Sequence, residues 1–480
     1  MATKTVLAID LGAESGRVMA VHFDGETFQL NEVNRFPNHA VTIRGTLHWD
    51  IVGLWRHITD GIEQGQQHRP ASIGVDTWGV DFALLDGQGN LLGLPVHYRD
   101  RRTEGVPEKV LAKVPRETIF TTTGIQVMPI NTLYQLASMV EAQSPLPGMA
   151  TTFLTIPDLL NYWLTGERVC EFSNASTTQM LKAGQAAWAT DLLQTLDIPT
   201  HMLPQVVAPG TRLGTFAGTP VIAPACHDTG SAVAAVPATH NHFAYISSGT
   251  WSLAGIETDS PLLTPEAARA NVTNESGVCG TNRLLKNIMG LWILQQCRAV
   301  WQSEGFTYTY EELVQLAESA PALQSIVYVN EPAFLHPGNH VALIRDACAA
   351  SKQPVPQTHG AITRTVFESL ALAYREVFET LERIANHPIE VIHIIGGGAQ
   401  NHLLNQFTAN ATGKPVIAGP VEATVLGNAL MQFMTLGELT NLSEARQIIA
   451  RMEGTQRYEP MHIEAWNHAY QQYQQLARSN

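Results

Sequence analysis

Two stretches of this chain share one layout. Residues 5–23 read as strand, glycine turn, strand, with Asp10-Leu-Gly-Ala-Glu-Ser-Gly-Arg17 at the corner, and residues 243–256 repeat the plan around Ser247-Ser-Gly-Thr250. Each can open a domain of its own. At 480 residues the chain exceeds what one hydrophobic core organises, so two domains of comparable size are expected. The polar segment from Val236 to His242, which contains Pro237, separates the halves and sets the expected division at 1–240 and 241–480.

Further elements fit the same plan. Ser72 to Asp76 reads as a buried strand, Phe82 to Leu92 as a hairpin turned by Asp86 to Asn90, and Glu390 to Ile395 as a strand entering Gly396-Gly-Gly398. Apolar residues recur three and four apart over 51–62 and 363–385, which predicts helices there, and the chain from about Leu439 reads as helical. Strands alternating with helices predict α/β domains.

Composition narrows the function. An apolar fraction of 45% with 15% charged residues is globular, and the net charge of −14 argues against nucleic acid or an anionic membrane as partner. An anionic ligand would need local donors and a metal ion rather than a basic surface. Five widely spaced cysteines without a CxxC pair fit reduced thiols, no signal pattern opens the chain and no stretch reaches membrane-span length, so a cytoplasmic protein is expected, as a monomer or small homo-oligomer.

Several motifs suit phosphoryl transfer. The turn at Gly12, Ser15 and Gly16 can aim backbone N–H groups at a phosphate while Asp10 holds Mg²⁺; an ordinary hairpin with a capping Asp is the alternative. Ser247 to Thr250 offers hydroxyls to the same ligand, and is otherwise a plain loop. The run Ile395-Gly-Gly-Gly-Ala-Gln-Asn401 lets a backbone approach a ligand closely before a helix over 403–411, yet it is neither GxGxxG nor a P-loop, since Gly413-Lys414 has Thr408 where the first glycine would stand.

Ala225-Cys-His-Asp228-Thr-Gly230 carries the candidate general base. Asp228, just before an expected small-residue helix over 230–235, sits where a helix N-terminus would keep it ionised, and a mere N-cap is the competing reading. Asp76, Trp78 and Asp81 suit a sugar, whose face stacks and whose hydroxyls bond, although Trp78 is equally a core residue. His97 to Arg102 imitates a kinase HRD without its downstream partners, leaving Arg99, Asp100 and Arg101 as a sugar-contacting loop or a solvated ion-pair cluster. No zincin His pair and no GxSxG elbow occurs.

In order, DLGAESGR, GVDTWGVDF, YRDRRT, HDTGSA, SSGTWSL, GGGAQN and GPVEATVLGNAL resemble the FGGY carbohydrate kinases of the actin-like ATPase superfamily, over nearly the whole chain. The resemblance implies two ribonuclease-H-like α/β domains with mixed sheets flanked by helices around a central cleft, with the final helical segment near the hinge. It implies ATP and Mg²⁺ as cofactors, a small sugar as the other partner, Ala13, Glu14, Ser15, Gly16 and Arg17 on the phosphates, Thr250 on the γ-phosphate side, and Gln295 and Gly397 on the nucleotide. Gly79, His227, Asp228, Thr229 and Asn287 would line the sugar, with Asp228 as the base and Asp10 organising Mg²⁺ through water. Glu14 departs from the small hydroxyl residue of many relatives and is expected to face solvent. Within the family, the stretches 76–81, 247–255 and 284–295 resemble members that phosphorylate L-rhamnulose at O1. A kinase for fuculose, xylulose or glycerol would share every phosphate motif, and a sugar-sensing or chaperone-like ATPase would share the nucleotide motifs without the transfer.

Overall fold

The structure, a computed structural model, describes residues 3–479. The chain forms two compact units. The first runs through Thr239 and takes in two later segments, Glu257–Leu284 and Ala423–Met452; the second is His240–Ile256, Leu285–Glu422 and the chain from Glu453 on.

The first unit is built on a six-stranded mixed sheet in the order Arg212–Phe216, Thr219–Ile222, Ile73–Thr77, Lys4–Leu11, Ser15–Phe23, Phe28–Pro37. Lys4–Leu11 is central and its Val6, Leu7, Ala8, Ile9 and Leu11 are wholly buried, as a strand covered on both faces requires. It pairs antiparallel with Ser15–Phe23 and parallel with Ile73–Thr77, which sets Asp10 opposite Arg17 and beside Asp76. The Ile51–Gly65 helix buries Ile51, Leu54, Ile58 and Ile62, and Asp50 caps it by accepting from the Gly53 N–H.

The Ala423–Thr435 helix joins this unit because Gly427 allows it: a Cβ there would drive into the Ser231 carbonyl of the Asp228–Ala234 helix. Asn428 and Gln432, one turn apart on that otherwise apolar helix, reach the sheet. Gln432 donates to the Leu7 carbonyl at 3.0 Å and accepts from Ser72 Oγ at 2.7 Å, while Asn428 donates to Asp76 Oδ2 at 2.6 Å. Gly74 leaves the space these two amides occupy.

The second unit repeats the scheme. Its strands run in the order Asn282–Met289, Trp251–Thr258, Phe243–Ser248, Val391–Ile395, Val416–Ala418, Gln456–Tyr458. Phe243–Ser248 pairs antiparallel with Trp251–Thr258 and parallel with Val391–Ile395. The His359–Ala385 helix, capped by Thr358, places the Tyr374 hydroxyl 2.7 Å from Ser252 Oγ.

Some boundaries move from the sequence reading. The tail is not continuously helical: the Gln456–Tyr458 strand lies between the Leu442–Arg451 and Ile463–Ser479 helices and adds antiparallel to Val416–Ala418. Phe82–Leu85 pairs with Thr152–Thr155, and the expected hairpin is closed by Asp86 N–H to the Asn90 carbonyl and Leu92 N–H to the Leu84 carbonyl, each at 2.9 Å, although its return arm forms a bridge at Leu91 rather than a strand. Among the described residues no helix is long and apolar enough to cross a membrane, and all five cysteines are free thiols.

Candidate active site

The first corner is held by an asparagine that sequence inspection passed over. The turn after Leu11 closes with Gly12 N–H donating to the Ser15 carbonyl at 2.9 Å. Asn38 donates from its backbone to the Glu14 carbonyl at 2.8 Å and from Nδ2 to the Gly12 carbonyl at 2.9 Å. Three carbonyls of the turn are thus satisfied from within the unit, and electropositive N–H groups are what the corner has left to offer a ligand. Glu14 and Ser15 are exposed, Ala13 and Arg17 half-buried. Gly16 takes no left-handed conformation; it is a glycine because a Cβ would strike the Phe36 ring. Arg17 donates from Nε at 3.0 Å and Nη2 at 2.6 Å to Asp10 Oδ2, so this carboxylate is held ready-paired at its strand end.

Beside it stands a second carboxylate. Asp76 is fully buried and accepts from Asn428, yet its Oδ1 has no hydrogen-bond partner. Burial, and then the Asp10 charge, push its pKa well above the ordinary carboxylate range, and Asp228 adds to this.

Asp228 is the first residue of the Asp228–Ala234 helix, which begins two residues earlier than its small residues suggest. His227 occupies the cap position, and the Asp228 carboxyl does not serve as an N-cap. Its Oδ1 accepts from its neighbour Thr229, from N at 2.6 Å and Oγ1 at 3.3 Å. The helix N-terminus does not hold its pKa at the ordinary carboxylate value either. Burial pushes its pKa up to about 6, His227 pulls it down, and the Asp10 charge pushes it up again. With 28% of its side chain accessible, the carboxyl is still open to a ligand.

Behind Asp228 lies a buried chain of charge. His227 Nε2 is 3.4 Å from Asp228 Oδ1, and His227 Nδ1 is 3.2 Å from Glu275 Oε2, itself 3.1 Å from Arg283 Nη2. His227, Glu275 and Arg283 are all buried. Burial alone would raise the Glu275 pKa, but the Arg283 guanidinium and His227 outweigh it and hold the carboxyl below its usual range. The backbone of this segment is fixed by another carboxylate. Glu171 accepts from the N–H groups of Ser173, Asn174 and Cys226 and from Ser173 Oγ, at 2.6–3.1 Å. Asn174 Nδ2 then donates to the carbonyls of both Cys226 and Trp78, each at 3.2 Å, tying the Asp228 segment to the end of the Ile73–Thr77 strand.

That strand end changes the reading of Asp76, Trp78 and Asp81. Trp78 and Asp81 are buried support, not an exposed sugar platform. Asp81 accepts from Trp49 Nε1 at 2.6 Å, Trp78 Nε1 at 3.1 Å, Tyr98 N at 3.2 Å and Gln135 Nε2 at 2.9 Å, and its pKa is still pushed by burial to about 6. His97 stacks on Trp49 with ring centroids 4.0 Å apart, and His97, Tyr98 and Arg99 are buried, so this run is not a solvated cluster; Arg101 and Glu104 are its exposed part. Gly79 is buried against Thr177, where any side chain would crowd. Val80, next to it, has φ of 66°, a left-handed conformation that β-branched residues avoid at a cost of roughly 1–3 kcal/mol.

The second unit has a corner of its own, without charge. Ser247 and Ser248 end a strand whose parallel neighbour runs into Gly396 to Gly398. Gly249 N–H donates to the Trp251 carbonyl at 2.8 Å, and Thr250 Oγ1 accepts from Gln295 Nε2 at 3.4 Å. Gly396 has φ of 82°, and a Cβ on Gly398 would collide with Ser248 Oγ, so both are bound to be glycine by local backbone. Gly397 is exposed with open space where its side chain would be. Gln295, from the Trp292–Ser303 helix, and Asn287, on the Asn282–Met289 strand, are half-buried and belong to this unit with Thr250 and Gly397. The remaining expected site residues, Asp10 to Arg17, Gly79 and His227 to Thr229, belong to the first unit.

Sequence profiles of the FGGY family of carbohydrate kinases match residues 5–222 with the N-terminal domain and 244–436 with the C-terminal domain. The chain is similar to a rhamnulokinase of Bacteroides thetaiotaomicron, 45% identical over 98% of this chain and 99% of that protein. It is likewise similar to a rhamnulokinase of Pectobacterium atrosepticum, 44% identical over 96% and 94%. Among solved structures it shares its fold with a gluconate kinase from Lactobacillus acidophilus, at a TM-score of 0.81 and 17% identity over 100% of this chain and 98% of that one. A Plasmodium falciparum glycerol kinase with ADP has a TM-score of 0.77 at 16% identity over 99% and 98%. Matched by both domains of the family and by relatives along nearly its entire length, the chain belongs to the FGGY family of carbohydrate kinases.

Proposed function

We propose that this chain transfers the γ-phosphoryl group of ATP to O1 of L-rhamnulose, giving L-rhamnulose 1-phosphate and ADP, with Asp228 as the general base. The sugar follows from the two relatives above, each named a rhamnulokinase. The reaction rests on one observation: Asp228 presents an accessible carboxyl with a pKa near 6 on a backbone fixed by Glu171 and Asn174. Such a group is ionised at neutral pH yet basic enough to take a proton from an alcohol as its oxygen attacks phosphorus.

The parts divide as follows. Asp228 accepts the O1 proton, while Thr229 and His227 hold its carboxyl and His227, Gly79 and Asn287 contact the sugar. The turn from Ala13 to Arg17 meets the phosphates through its N–H groups, Thr250 meets the γ-phosphate side, and Gln295 and Gly397 meet the nucleotide. The first 240 residues then carry the sugar, phosphate and base functions, and residues 241–480 the nucleotide, with Asn287 as a further sugar contact. The Glu14 carboxyl, on an exposed residue of the turn, faces solvent and stays out of the contact that the turn's N–H groups make with the phosphates.

The residues fit Mg²⁺ arriving with ATP. Asp76 has an unpartnered buried carboxylate oxygen, and the charges of Asp10, Asp76 and Asp228 oppose one another there. Asp10, paired to Arg17 at its strand end, is assigned to hold the ion through water. When bound, the ion would neutralise phosphate charge. The free thiols suit a reducing cytoplasmic setting.

An ADP-release assay over L-rhamnulose, L-fuculose, xylulose and glycerol tests the substrate. Highest kcat/KM for L-rhamnulose is expected, and clear preference for another acceptor defeats the assignment. ATP consumption without any phosphorylated sugar would instead make the chain a sugar-responsive ATPase.

A further inference from the structure

The turn between Trp78 and Asp81 is built around the wrong residue for its backbone. Asp81 N–H donates to the Gly79 carbonyl at 2.9 Å across Val80, and a three-residue turn with positive φ at its centre is the rare, strained form of γ-turn. Glycine would adopt it freely, yet the glycine stands one position earlier, at Gly79, where φ is not positive and Thr177 leaves no room for a side chain. Gly79 is therefore explained by close packing, and Val80 is not explained by its backbone.

The conformation is imposed from several sides. Val80 N–H donates to Thr177 Oγ1 at 3.0 Å, and its carbonyl accepts from Thr132 Oγ1 at 2.5 Å and Gln135 Nε2 at 3.3 Å. Asp81 anchors the far end through its four bonds. Three side chains thus grip a peptide whose own residue resists the shape, and strain so over-determined marks a site where the side chain is wanted. Val80 is half-buried while Gly79 and Asp81 on either side are buried, so Val80 is the most accessible residue of the turn. The turn is coupled to the Asp228 segment because Asn174 grips Trp78 and Cys226 together.

We infer that Val80 is a specificity-determining residue, whose strained backbone turns an apolar side chain onto the methyl end of a 6-deoxy ketose. This rests on the substrate reading above, in which the sugar carries a primary alcohol at one end and a methyl group at the other. An apolar contact favours that methyl over the hydroxymethyl of the 6-hydroxy counterpart, L-fructose, and one such group is worth about 10–200-fold in discrimination.

The test measures kcat/KM for L-rhamnulose and for L-fructose in the parent chain, in Val80→Gly, which frees the backbone and removes the side chain, and in Val80→Thr, which keeps the shape and replaces a methyl by a hydroxyl. The ratio of the two values is expected to fall about tenfold or more in both variants, with the melting temperature of Val80→Gly unchanged or raised. A ratio within about twofold of the parent in either folded variant overturns the Val80 role while leaving the substrate reading intact. A parent chain that turns over neither ketose removes the substrate reading, and this inference with it.

Discussion

The two strand-turn-strand corners share a plan and differ in chemistry. In the first unit, Asp10 is paired to Arg17, Asp76 is buried with an orphan oxygen, and the pKa of Asp228 is pushed up first by burial and also by the Asp10 charge. In the second, Ser247, Ser248, Thr250 and three glycines occupy equivalent strand ends with no carboxylate among them, and Gln295 supplies an amide. A duplicated fold can thus keep geometry and divide labour: under the proposed function the first corner adds carboxylates for a proton and a cation to its phosphate-facing backbone, while the second offers only hydroxyls, an amide and bare backbone, which do not titrate. Substitutions in the first corner should therefore act on turnover, and substitutions in the second on nucleotide binding.

The largest break in that contrast is Asp228→Asn. Losing the base should lower kcat by roughly 10²–10⁴ with sugar KM changed far less, as steady-state kinetics would read. The same variant should be more stable at pH 7. A carboxyl raised above its unfolded value to about 6 favours the protonated native state, so its contribution to stability is present below the unfolded value near 3.8 and is lost as pH rises through 6. A neutral amide avoids that loss, by about 1–3 kcal/mol in urea unfolding at pH 7.

Next in size is Glu171→Gln. Glu171 accepts four hydrogen bonds in the interior, and an amide can satisfy only part of them while burying new N–H groups. A stability loss of about 2–4 kcal/mol is expected in urea unfolding, with kcat reduced because the Cys226–Asp228 segment loses its anchor. The smallest effect belongs to the neutral corner. Thr250→Val should raise the KM for ATP by about 3–10-fold, the worth of one hydroxyl contact, with kcat within about threefold. If Thr250→Val instead behaved like Asp228→Asn, the division between the corners would fail.

Sequence patterns exposed the corners because glycine turns and terminal carboxylates are local signals. Asp10, Arg17, His227 and Asp228 were all legible from short motifs, and so was the repeat at Ser247–Thr250. The supports were not. Glu171 reaches Cys226 and Asn174 reaches Trp78 across tens of residues, and Asn428 reaches Asp76 across hundreds, so no local pattern encodes those pairings. Asn428 and Gln432 still left a trace, as two amides one turn apart on an apolar helix, which only a buried polar partner can explain. The strain at Val80 was hidden by its neighbour, since Trp-Gly-Val-Asp invites placing the unusual backbone at the glycine.

The pH dependence of kcat/KM for L-rhamnulose tests the role of Asp228 most directly. With the group that must be ionised carrying a pKa of about 6, kcat/KM should be flat near neutrality and fall tenfold per pH unit below about 6 while the chain stays folded by circular dichroism. A profile that stays level down to pH 4.5 would contradict a base at Asp228.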